Sequence, residues 1–226
     1  MLQSMHIPFG RGRVLTPYML AISVAISTPG FAAVGCGDET ASPLCRFENA
    51  PAQVSDTQVI LANRPHPYSE LLAPLRFTDS RGVLWTAPPA TLTDGASIPT
   101  IFVPLIGDPR SPEFLAAASL HDAYCGLGNE ALPQYHQRSW QETHRMFYDS
   151  LRAAGVPATK AKTMFAAVYL GGPRWDDPSR SLADVPDARL REEMEHCITF
   201  IEKEDPDLAE IEDWMRRREP ALRASQ

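Results

Sequence analysis

The spacing of apolar residues divides the chain into two textures that meet near Pro112. From Phe47 to about Pro99, short runs rich in β-branched and aromatic residues predict strands at Thr57-Gln58-Val59-Ile60-Leu61, Leu75-Arg76-Phe77-Thr78 and Val83-Leu84-Trp85-Thr86. Asp79-Ser80-Arg81-Gly82 is turn chemistry between the last two, which predicts a hairpin that Thr91-Leu92-Thr93 extends. Beyond Pro112 the period becomes helical. One helix is predicted over Glu113 to Cys125, ending near Gly126 and Gly128. Ser139-Trp140-Gln141-Glu142 is a capping box that opens a second, running to Ala154 with Gly155 as its stop. Pro157 sits in the first turn of a third, which ends at Gly171-Gly172. Pro186 and Pro206 open two more, about 187–204 and 206–219, the last closing on Arg216-Arg217-Arg218, whose charge suits a helix C-terminus. Leu190, Met194, Cys197 and Ile201 share one face there, as in an amphipathic cover packed on a core. The expected fold class is α+β: a small N-terminal β-hairpin or meander region followed by a mainly α-helical core.

The first segment carries an address. Residues 1–31 hold Arg11 and Arg13 and no acid, then an apolar run from Val14 to Ile26, then Ser27-Thr28-Pro29-Gly30-Phe31-Ala32-Ala33. A basic start, a short apolar stretch and small residues predict a secretory signal peptide over 1–32. Pro17 and Pro29 interrupt the span that the rival, a membrane anchor, would need. A lipoprotein anchored through Cys36 is a minority alternative. The expected division is then an irregular extension over 33–67, a core domain over 68–176 and a helical extension over 177–226.

Composition narrows the function classes. Hydrophobic residues make up 44% and charged residues 22%, a globular balance. The net charge of −7, which falls to −9 without Arg11 and Arg13, argues against a nucleic-acid partner. Four cysteines, Cys36, Cys45, Cys125 and Cys197, lie beyond the expected cleavage point, and an even count in an exported chain predicts disulfides. Cys36–Cys45 would close a small loop and Cys125–Cys197 would staple a C-terminal helix to the core. Zinc is the weaker rival, because no two cysteines have the close spacing of zinc-binding pairs.

Candidate chemistry concentrates between Asp94 and His144. Asp94-Gly95 forms a turn at a strand end, where Gly95 permits close backbone approach. His121 and Asp122 sit in an otherwise apolar helix, so at least one ionisable side chain must point into packed surroundings and needs a partner. Trp140, His144, Phe147 and Leu151 follow helical spacing, which places His144 on an apolar face. Two such helices facing each other would gather His121, Asp122, Tyr124 and His144 into a polar cluster. A lone histidine on an apolar face is more often a satisfied core residue than a ligand. Gly126-Leu127-Gly128 lacks the context of a nucleotide loop, and Ser97 and Ser119 that of a nucleophile elbow.

The order Asp94-Gly95-Ala96-Ser97-Ile98-Pro99, His121-Asp122, the Arg138-to-Phe147 helix and Ala167-Val168 with Gly171-Gly172 and Trp175 resembles one bacterial and phage family, domain of unknown function 1353. The resemblance covers about Pro74 to Trp175, and His144 stands where that family commonly has an aspartate. The motif order is also distantly similar to secreted phospholipase A2. That similarity implies His121 as base, Asp122 as calcium ligand and His144 in the orienting position.

Two readings follow. The first is an exported, metal-assisted hydrolase of the periplasm or medium, acting on a phospholipid ester or cell-wall bond, with peripheral membrane contact. Its catalytic residues would be His121, His144 and Asp94, and its metal ligands Asp122 and Asp94, with Ca²⁺ favoured over Zn²⁺. The second is a non-catalytic, phage-derived structural or accessory protein in which the His–Asp cluster locks the core. Export is checked by mass spectrometry of the protein from its native host: the mature chain should begin near Ala33, and an intact Met1 would reject the signal peptide.

Overall fold

The computed structural model describes residues 35–37, 42–62, 64, 66–95, 98, 100–106, 108 and 110–224. The expected signal peptide lies outside them, as do Ala96, Ser97 and Pro99 of the Asp94–Pro99 motif. The observed order is α+β: strands β1 (Arg46–Glu48), β2 (Val54–Val59), β3 (Tyr68–Leu71), β4 (Leu75–Thr78), β5 (Leu84–Ala87) and β6 (Leu92–Thr93), then helices. These are α1 (Val103–Ile106), α2 (Pro112–Cys125), α3 (Trp140–Ala153), α4 (Ala158–Gly171), α5 (Asp187–Glu204) and α6 (Leu208–Arg223). Among the described residues no helix is long and apolar enough to cross a membrane.

The strands form two antiparallel three-stranded sheets, ordered β1-β4-β5 and β2-β3-β6. In the first, Leu75 faces Ala87 and Phe77 faces Trp85 across the β4–β5 hairpin. All four are buried, while Arg76 between Leu75 and Phe77, and Leu84 before Trp85, are exposed, so the period of two that identified the strands also selects the core face. The hairpin turn is organised by the buried Asp79 carboxylate. It accepts from the Arg81 and Val83 amides, each at 2.9 Å, and from Trp85 Nε1 at 3.0 Å. β1 and β2 fall within residues 33–67, expected as an irregular extension, and supply one strand to each sheet.

Helix α2 lies between two apolar clusters. Its Leu120, Ala123 and Tyr124 pack with Leu71, Leu75, Phe77, Trp85 and Ala87 of the sheets. Its Phe114, Ala117 and Ala118 pack with α3, α4 and the C-terminal helices. Tyr124 was expected in the polar cluster but points to the sheet: its ring meets Trp85 edge-on at 4.9 Å and its hydroxyl accepts from the Thr86 amide at 3.3 Å.

Helix α3 opens on the predicted Ser139–Glu142 capping box. Helix α6 runs past Arg218, through Pro220, to Arg223. Charged contacts attach α5 and α6 to the rest: Arg174 and Arg180 to Glu219, Arg145 to Glu212, and Lys162 to the Asp205 carboxylate.

Cys36 and Cys45 are disulfide-bonded. The expected Cys125–Cys197 bridge is absent: both are free and buried, on α2 and α5 respectively. Helix α5 packs on α4 rather than on α2, and the Cys125 sulfur is directed to His121 instead.

A buried side chain that the sequence reading passed over joins the end of α2 to β6. Asn129 donates to the Leu92 carbonyl at 2.8 Å and the Asp122 carbonyl at 2.9 Å, and accepts from the Leu92 amide at 2.8 Å. Asn129→Ala should lower stability by about 2–4 kcal/mol, because three hydrogen bonds of a buried side chain are lost together. Urea unfolding measures this, and an unchanged midpoint would show that the clamp is dispensable.

Candidate functional site

The Asn129 clamp sets the distance between the strand carrying Asp94 and the helix carrying His121 and Asp122. Asp94 follows β6 directly and is half-buried, whereas His121 and Asp122 are almost wholly enclosed. The two carboxyl groups are near enough to interact. Burial, then the charge of Asp122, pushes the Asp94 carboxyl up to about 6. The Tyr68 hydroxyl shares a side-chain hydrogen bond with Asp94, and burial followed by the Asp94 charge pushes this phenol up to about 12. His121 Nδ1 lies 3.9 Å from Asp122 Oδ1. Asp94, Asp122, His121 and Tyr68 therefore form one connected group.

His121 also belongs to a second group on its other side. Its ring centroid is 5.2 Å from that of His144 on α3 and 5.0 Å from that of Phe147. Cys125, one helical turn after His121, brings its sulfur to 3.5 Å from Nε2 and 3.6 Å from Nδ1. Donor atoms of His121, Cys125 and His144 all lie within 4.8 Å of one another, and all three residues are buried. Among the described residues, neither ring nitrogen of His144 has a hydrogen-bond partner. Burial, then the neighbouring His121 and Arg174, holds its pKa well below the ordinary histidine value. Burial, then Asp122, pushes the Cys125 thiol well above its ordinary value.

The surroundings of His144 are aromatic and close. Trp140 meets it edge-on at 5.4 Å and Trp175 at 6.4 Å. A Cβ at Gly172 would collide with the Val168 carbonyl oxygen and lie 3.0 Å from His144 Cε1, so no larger residue fits there without a shift. Behind Trp140 the Arg174 guanidinium stacks at 4.6 Å from the ring and pairs with the buried Glu219 at 2.9 Å.

The expected residues thus divide. His121 and His144 meet, as do His121 and Asp122, and Asp94 joins from the strand side through Asp122. Cys125 and Tyr68 escaped the sequence reading. The His121–Cys125 spacing of one helical turn is visible in the sequence, but an even cysteine count equally offers Cys125 to a disulfide. Tyr68 lies in a strand that the apolar pattern did not reveal.

Residues 69–168 match the DUF1353 family, a protein of unknown function. The matched segment contains Asp94, both site helices and α4 as far as Val168, while Tyr68, Gly172 and Trp175 fall outside it. Two curated relatives come from Sinorhizobium fredii. Uncharacterized protein y4iH is 44% identical over 105 residues, and uncharacterized protein y4jT is 40% identical over 111 residues. Those regions cover 46% and 49% of this chain, which itself spans only 41% and 31% of the relatives' lengths. No solved structure matches. The likeness to phospholipase A2 finds no support in these comparisons.

The raised Asp94 carboxyl has a consequence for stability. Below its ordinary value of 3.8 the group is neutral whether the chain is folded or unfolded. Between 3.8 and about 6 the folded state retains a proton that the unfolded state loses, so stability falls as pH rises through that window. Asp94→Asn should therefore stabilise metal-free protein above pH 6 by about 1–2 kcal/mol, allowing for screening of a half-buried group. The gain should vanish towards pH 4. Melting curves against pH measure it, and a gain independent of pH would contradict the assigned cause.

Proposed function

We propose that the DUF1353 segment is the working part of an exported hydrolase centred on Asp94, Asp122 and His121, with Asp94 as the proton-transfer group. The observation that supports the reading is the placement of the half-buried Asp94 between the Tyr68 hydroxyl and the enclosed Asp122 carboxylate. A carboxylate near 6 ionises within the ordinary working range and can take a proton from an attacking water. Tyr68 would position it by donating to one carboxyl oxygen. His121 is less suited to that role than its sequence suggests. Its ring is enclosed by Phe147, Cys125 and His144, whereas Asp94 retains access to solvent.

In the reaction proposed, ionised Asp94 accepts a proton as the water oxygen bonds to the carbonyl carbon of an ester or amide. The protonated carboxyl then returns that proton to the leaving oxygen or nitrogen as the scissile bond breaks. A divalent cation would polarise the carbonyl oxygen. Export would bring the protein to phospholipid esters and cell-wall bonds at the envelope, with peripheral membrane contact during the reaction.

A second reading is favoured by burial: His121, Asp122 and His144 are each no more than 2% exposed, as expected of a core lock in a non-catalytic accessory protein. The two readings separate in one experiment. Purified protein is incubated with phosphatidylglycerol vesicles and with cell-wall sacculi, with Ca²⁺ or Zn²⁺ supplied, and released fatty acid and soluble wall fragments are measured. The hydrolase reading expects release from one substrate, rising with pH through about 6 as Asp94 ionises. It expects Asp94→Asn to lower turnover by roughly 10²–10⁴-fold while the fold survives. No release from either substrate with either ion would leave the core lock.

A further inference from the structure

We propose that His121, Cys125 and His144 bind one transition-metal ion of the zinc class, through two imidazole nitrogens and one thiolate. The inference goes beyond the hydrolase reading and does not need it. Its first support is geometric. A nitrogen about 2.0 Å and a sulfur about 2.3 Å from one tetrahedral ion stand roughly 3.5 Å apart. The Cys125 sulfur lies 3.5 Å from His121 Nε2, and His144 offers a nitrogen within 4.8 Å of both donors. Two donors come from successive turns of α2 and the third from the facing helix α3, so all three project into the same space between the helices.

The second support is independent of spacing. His144 is fully buried, yet neither of its ring nitrogens has a hydrogen-bond partner among the described residues. Buried polar groups are ordinarily satisfied, and an imidazole walled by Trp140, Trp175 and Gly172 has little else to turn to than the face shared with His121 and Cys125. Coordination would satisfy one of those nitrogens.

Asp122 supplies the surrounding shell. Its Oδ1 lies 3.9 Å from His121 Nδ1, and a shorter approach on binding would orient the ring as carboxylates orient metal-binding histidines, leaving Nε2 for the ion. Nitrogen and sulfur donors suit zinc, whereas calcium takes oxygen donors, so the ion expected here differs from the calcium that the Asp94 and Asp122 carboxylates suggested. On binding, two metal–nitrogen bonds and one metal–sulfur bond form, and the Cys125 thiol proton leaves to solvent. Three protein donors leave one tetrahedral position for a further ligand.

Cobalt(II) serves as the probe. The full exported chain, with Cys36–Cys45 intact, is stripped with chelator and titrated anaerobically with Co²⁺. The expected result is one equivalent bound per chain, tetrahedral ligand-field bands, a thiolate-to-cobalt charge-transfer band, and displacement of all of these by Zn²⁺. Cys125→Ser should abolish the charge-transfer band, and Cys197→Ser should retain it. His144→Gln should weaken Co²⁺ binding by more than the roughly 10–100-fold that outer-shell substitutions cost. Should the ligand variants fail to fold, the parent protein decides alone: Zn²⁺ should raise its melting temperature and suppress Cys125 alkylation. No charge-transfer band in the parent, a band that survives Cys125→Ser, or a thermal shift with Ca²⁺ but not Zn²⁺ would each overturn the site. These readouts involve no substrate, so failure of the metal site and failure of the hydrolase reading are separately visible.

Discussion

Helix α2 is covered on both sides, by the sheets along Leu120, Ala123 and Tyr124 and by the helical layer along Phe114, Ala117 and Ala118. This double burial is the constraint on which the rest depends. From Ala117 to Cys125 every residue of the helix is buried, so His121 and Asp122 must be accommodated internally. Their partners come from three directions: Cys125 along the same helix, His144 from α3, and Asp94 from the end of β6. This packing shields His121 and Asp122 from water and leaves Asp94 partly open to it.

The position of α2 relative to the sheet is set by polar contacts rather than by apolar packing alone. Asn129 bonds both backbone groups of Leu92 and the carbonyl of Asp122, which joins the strand carrying Asp94 to the helix carrying its charged neighbour. Asp79 does comparable work in the β4–β5 turn, where Trp85 Nε1 and two backbone amides converge on one carboxylate. On the opposite side, Glu219 of α6 receives Arg174 and Arg180, and Arg174 stacks on Trp140. Helix α6 thereby reaches the residues that enclose His144, although it lies outside the matched family segment. Breaking such a buried pair on one side leaves a charge without compensation, which makes the C-terminal helices part of the support for the site.

The elements were legible wherever periodicity and punctuation agreed. The β4–β5 hairpin, the capping box of α3 and the long helices lie within a few residues of where the sequence puts them. The missed strands, β1 and β3, are three and four residues long, and neither alternates strongly enough to announce itself. Helix α6 continues beyond Arg218 because Glu219 and Leu222 are buried there, a tertiary reward that overrides the proline between them.

The sequence by itself determined the fold class, the helices that carry His121, Asp122 and His144, and the fact that these residues stand in apolar settings. Those properties depend on neighbours within a turn or two, which a linear pattern records. Only the tertiary structure decided the partnerships. It left Cys125 and Cys197 unpaired, placed the Cys125 sulfur beside His121, turned Tyr124 to the sheet, and brought Tyr68 to Asp94. Each of these depends on which face of one element meets which face of another, and on distances set by side chains far apart in the chain, such as Asn129 and Leu92. A helix face can be read from spacing, but what lies across from it is settled by packing.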